Sequence, residues 1–150
     1  MRVRLISVLA AGALMLLALI GVASAAKPKA GDTYTTPGAK SPSVYFKAVS
    51  SGKLTMFSAG LALKCKAKVC GGFGGIKSFT RTSVTVSRHG TFTVTGNVLA
   101  VDNKKLGTET VTGKFVSATE VKGKVTTHAN LGQYVGDTES YTATATTTAG

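Results

Sequence analysis

Cys65 and Cys70 are the residues of this chain best placed for chemistry, and that chemistry is oxidation to a disulfide. On one straight strand they would lie about 16 Å apart, at about 3.3 Å per residue. A disulfide needs its Cα atoms within about 7 Å. A bond therefore forces the chain to reverse across Lys66-Ala67-Lys68-Val69. Closing so small a ring stabilises by about 2 kcal/mol on the chain-entropy account, so the bond acts as a local staple. His89 and His128 stand alone and no second thiol pair exists, so the sequence calls for no metal site and no cofactor.

Catalysis would need an activated nucleophile or a pair of carboxylates. The six acids are Asp32, Asp102, Glu109, Glu120, Asp137 and Glu139. Asp102 and Glu120 read as turn residues, and Glu109 as the start of a strand. Asp137 and Glu139 share a polar loop, with cation binding only a minor alternative there. His89 occupies a hairpin tip and His128 the end of a strand. No constellation forms, so the expectation is a protein that is not an enzyme.

Charge is the stronger signal. Lys and Arg number 18 against six Asp and Glu, a net charge of +12. Lys64, Lys66, Lys68, Lys77 and Arg81 gather around Phe73 and are the candidate polyanion-binding residues. Lysine gives diffuse attraction to anions, whereas arginine gives bidentate recognition. Nucleic-acid binding would want several exposed aromatics among the bases, and Phe73 is a lone one. The expected partner is an anionic cell-wall polymer or polysaccharide. The competing reading is that the charge only keeps a β-protein soluble.

The start of the chain sets the address. Arg2 and Arg4 precede an apolar run, Leu5 to Val22, and Ala23-Ser24-Ala25 supplies a small-x-small cleavage pattern. The run is long enough to span a bilayer, but the abrupt change to Lys27-Pro28-Lys29 favours cleavage over anchoring. Residues 1–25 read as a signal peptide forming a helix, 26–42 as a flexible leader and loop, and 43–150 as one all-β domain. The processed chain keeps 16 basic and six acidic residues, with Arg81 and Arg88 its only arginines. It is expected to be secreted or envelope-associated, with no stable membrane insertion.

The elements that must position these residues follow a period of two. Val44 to Val49 and Lys53 to Phe57 form strands about Ser50-Ser51-Gly52. Leu61 to Lys66 alternates, with Leu61, Leu63 and Cys65 on one face. Residues 71–75, Gly-Gly-Phe-Gly-Gly, are a loop. Ser83 to Ser87 and Thr91 to Thr95 form a hairpin about Arg88-His89-Gly90, turning Val84, Val86, Phe92 and Val94 inward. Asn97 to Val101, Thr108 to Ser117, Val121 to Thr126 and Tyr141 to Thr147 complete the set. The chain holds 22 threonines, a residue that suits strands with one wet face. The prediction is an all-β, single antiparallel domain of about 8–10 short strands, as typical of small sheets. An up-and-down barrel is favoured over a sandwich, since sequential hairpins close most simply that way. Gly113 and Gly123 mark sites where strands bend.

The pattern resembles small exported all-β proteins of unknown function from high-GC Gram-positive (actinobacterial) bacteria. The features that carry the resemblance are Gly31-Asp32-Thr33-Tyr34, Val44 to Val49, a cysteine near position 65, and His89-Gly90-Thr91-Phe92. Val111 to Phe115, Val121 to Val125 and Tyr141-Thr142-Ala143 extend it over most of the chain. The resemblance implies a fold and an exported address, and no activity. The functional expectation is therefore a secreted, non-catalytic module adhering to anionic polymer through lysines. The alternative is a barrel that carries a small ligand, with a secreted hydrolase ranked third; oligomeric state stays open.

Overall fold

A computed structural model describes residues 24–38, 42–71, 76–77 and 79–147. The proposed signal segment, apart from its last two residues, and Phe73 lie outside the described residues. Every element among the described residues is a strand. They are β1 (Thr33–Thr35), β2 (Val44–Ser50), β3 (Lys53–Ala59), β4 (Leu63–Cys65), β5 (Ile76–Lys77) and β6 (Phe79–Arg81). There follow β7 (Val84–Thr85), β8 (Thr91–Ala100), β9 (Lys105–Ser117), β10 (Glu120–Leu131), β11 (Tyr134–Gly136) and β12 (Thr138–Thr146).

The strands pair in the order β5-β8-β9-β10-β12-β1-β2-β3-β6. Every ladder along this path is antiparallel. The path begins on β5 and ends on β6, which residue 78 alone separates in the chain. One stretch thus starts on β8 and finishes on β3, and the sheet nearly closes into a barrel. The sandwich alternative falls away, and nine strands lie on the path, within the expected number. Three of them, β8 to β10, run 10, 13 and 12 residues and are longer than expected.

Two local readings are corrected. The segment Ser83–Ser87 does not ladder with Thr91–Thr95. Its β7 portion pairs instead with β3, through Lys53↔Thr85 and Leu54↔Val84. The tight link at Gly90 survives as a turn, with Ser87 N–H donating to Thr91 O and Gly90 at φ +70°. In Leu61–Lys66 only Leu63–Cys65 is strand, paired with β11 off the main path. The buried residue there is Ala62, the opposite parity from that expected. Ala62 is drawn inward because its N–H donates to Thr127 Oγ1 and its O accepts from Asp137 N–H.

Alternation fills the barrel. Tyr34, Phe46, Phe57, Phe92 and Phe115 meet in one aromatic cluster. Phe46 stacks on Tyr34 (centroids 4.9 Å) and Phe57 (5.6 Å) and meets Phe92 and Phe115 edge-on. Offset-stacked and edge-to-face arrangements match the aromatic quadrupole and add to the apolar burial. The segment before β1 joins this core. Ala26 packs against it, and Gly31 N–H donates to Ala48 O while Ala48 N–H donates to Asp32 O.

Gly113 and Gly123 face each other across β9 and β10. Both make room for rings. A Cβ on Gly113 would meet Phe92 ring atoms at 2.3 Å, and one on Gly123 would meet Thr112 O at 1.9 Å and the Tyr141 ring at 2.8 Å. Tyr141 holds its place by donating its hydroxyl to Thr112 O at 3.1 Å. Gly123→Ala is expected to destabilise by about 2–3 kcal/mol, because the obstructing atom is backbone in a central ladder and cannot swing away. A denaturant midpoint equal to that of the native sequence would refute this account of the glycine pair.

Candidate functional site

The five basic residues expected to act together divide between two places. Lys64 lies on β4, and Lys66 and Lys68 follow it in the loop closed by the Cys65–Cys70 disulfide (Cα–Cα 5.9 Å). The bond forms as expected, and the loop is held against Gln133. Lys66 N–H donates to Gln133 O, and Gly71 N–H donates to Gln133 Oε1. The Lys66 ammonium donates to Asn130 Oδ1 and Gly132 O. Lys68 is exposed on the loop.

Lys77 and Arg81 instead border a cleft of about 280 Å³, which Phe79, Thr80, Gly96 and Asn97 help to line. The cleft exists because β5 pairs with β8 while β6 pairs with β3, so no ladder bridges β6 and β8. Arg81 reaches across this seam to donate from Nη2 to Thr95 O (2.7 Å), with its guanidinium 5.5 Å from the Phe79 ring centroid. The Lys77 ammonium donates to Asn103 Oδ1.

A third basic group had no forerunner in the sequence reading. Lys114 on β9 and Lys122 on β10 are direct cross-strand partners, and Lys124 lies two residues further along the same face. They ring a shallow hollow of about 340 Å³ whose floor includes Gly113 and Gly123. Glu120, 3.2 Å from the Lys122 ammonium, forms the one ion pair among the described residues. Like charges directly opposite on a sheet repel, and an exposed pair such as Lys122–Glu120 offsets little. The three lysines therefore present an outward field that a bound anion would relieve.

The acids are dispersed, and one is misplaced by the sequence reading. Glu109 does not start a strand. It lies in the middle of β9, inside the barrel, fully buried, with Gly96 and Thr127 as cross-strand partners. Neither of its carboxyl oxygens has a hydrogen-bond partner among the described residues. Burial pushes this carboxyl up to about 7. His128 is likewise inside β10 rather than at its end, and Glu139 belongs to β12 rather than to a loop. Among the described residues no three His, Cys, Asp or Glu side chains converge to hold a metal ion, and no helix is long and apolar enough to cross a membrane. Compared with family models, with curated proteins and with solved structures, the chain matches none.

Proposed function

We propose that this chain is an exported, non-catalytic β-barrel module that adheres to anionic cell-envelope polymer through lysines. The observation that carries the reading is the facing pair Lys114 and Lys122, with Lys124 beside them. A sheet gains nothing in stability from opposing two ammonium groups. A repeating anion laid across β9 and β10 would turn that repulsion into attraction along the polymer. The disulfide fits an oxidising compartment, and export also rests on the leader pattern in residues 1–25. The carrier alternative loses support from the ring cluster packed inside the barrel.

Retention on an immobilised polyphosphate or polyuronate matrix should fall steadily with salt and vanish near about 0.5 M, where the screening length is a few Å. The variant K114Q/K122Q/K124Q should elute at markedly lower salt with its thermal midpoint nearly unchanged, since it loses both the repulsion and the weak Glu120 pair. Retention that ignores salt, or a triple variant that binds as the native sequence does, would remove the proposal.

A further inference from the structure

The seam cleft carries a second and separate inference, which goes beyond polymer adhesion and uses other residues. We infer that the cleft between β5–β6 and β8 is a binding site for one sugar-sized residue bearing a single anionic group, a uronate or a sugar phosphate. Four observations point there. First, the cations at its borders, Lys77 and Arg81, donate to neutral acceptors, Asn103 Oδ1 and Thr95 O. Among the described residues no Asp or Glu lines the cleft to neutralise them. Second, the contact to Thr95 O and the Phe79 ring fix the Arg81 guanidinium in place while committing only one arm of its fork. A pre-positioned fork favours a planar or tetrahedral oxyanion. Third, Thr80, Asn97 and the unladdered edge of β8 supply neutral donors and acceptors suited to hydroxyl groups. Fourth, the volume, about 280 Å³, is at the small end for ligand sites, which suits one ring and not a chain.

Gly96 shows that the floor of the cleft is built to shape. A Cβ there would meet the Phe79 ring at 1.7 Å. Only a bare backbone at this position lets Phe79 lie across β8 and close the cleft from the barrel interior. The seat is thus a small apolar floor with cations at its borders and neutral polar groups between.

The test is an amide-resolved NMR titration of the processed chain with glucuronate, glucose 1-phosphate, glucose and acetate. Glucuronate or glucose 1-phosphate should shift the amides of Thr80, Gly96 and Asn97 saturably, and which of the two binds tighter identifies the oxyanion. Glucose and acetate should each bind at least about tenfold more weakly, because each lacks half of the recognition. Arg81→Gln should weaken the preferred ligand by at least about tenfold. Asn97→Ala, which leaves the seam contact of Arg81 intact, should weaken it several-fold. K114Q/K122Q/K124Q should bind the monosaccharide as the native sequence does, so failure of the adhesive face leaves this result unaffected. Acetate matching glucuronate, shifts confined to Lys114, Lys122 and Lys124, or full binding by both Arg81→Gln and Asn97→Ala would each overturn the inference.

Discussion

Glu109→Gln will stabilise the folded chain by about 3 kcal/mol at pH 8 and will change it little at pH 4. The sign follows from linkage. The carboxyl is raised from its ordinary 4.5 to about 7 by burial, so the native state holds its proton more tightly than the unfolded state does. Below pH 4.5 both states are protonated and the group contributes nothing to pH dependence. Between 4.5 and 7 the unfolded chain releases the proton while the native chain keeps it, so stability falls as pH rises. Above 7 both are ionised and the full penalty is present, at about 1.4 kcal/mol per unit of difference. The amide cannot ionise, so the variant escapes that slope. For a chain of this size the gain corresponds to a thermal midpoint higher by roughly 10 °C at pH 8. The measurement is the midpoint of both proteins from pH 4 to pH 9. Curves that run parallel across that range would show that burial does not raise this carboxyl in the folded state.

The same residue shows where the sequence is legible. Alternation along Thr108 to Ser117 puts Val111, Gly113 and Phe115 on one face, and all three are buried. Glu109 continues that parity by two residues, so its inward position was available from the pattern. Residue type overrode parity, because an unpaired carboxylate is almost never fully buried. The disulfide and its chain reversal were legible because bond geometry leaves one solution for so short a spacing.

The two basic sites were not legible, and the reason is register. The β9–β10 ladder starts at Glu120↔Ser117 and shifts by one residue before Val121↔Phe115. Without that bulge Lys114 would face Gly123, and the two lysines would not oppose. A bulge inserts one residue and is invisible to a two-residue period. The seam arises in a similar way, from the partner change between Lys77 and Phe79. Alternation reports which way a side chain points, and does not report which strand lies beside it. The lysine cluster read from sequence proximity was therefore divided between β4 with its loop and the seam.

Phe46→Ala is expected to cost about 3–5 kcal/mol, the range for removing a buried aromatic side chain. Phe46 is fully buried and touches four other rings, so its loss leaves Tyr34, Phe57, Phe92 and Phe115 facing a void. The rings sit on five different strands (Phe46 on β2; Tyr34 on β1; Phe57 on β3; Phe92 on β8; Phe115 on β9), and strands held in ladders around a nearly closed sheet cannot all move inward to fill the gap. An apolar void of this kind stays dry and takes small apolar guests. Benzene should therefore raise the thermal midpoint of Phe46→Ala and leave that of the native sequence unchanged. The comparison also bears on function. If benzene stabilises the native chain equally, the barrel interior is an open chamber and the carrier reading returns. If only the variant responds, the native interior is full. The carrier reading then stays without a chamber, and the two proposed sites, the outer lysine face and the seam, are the ones left to test.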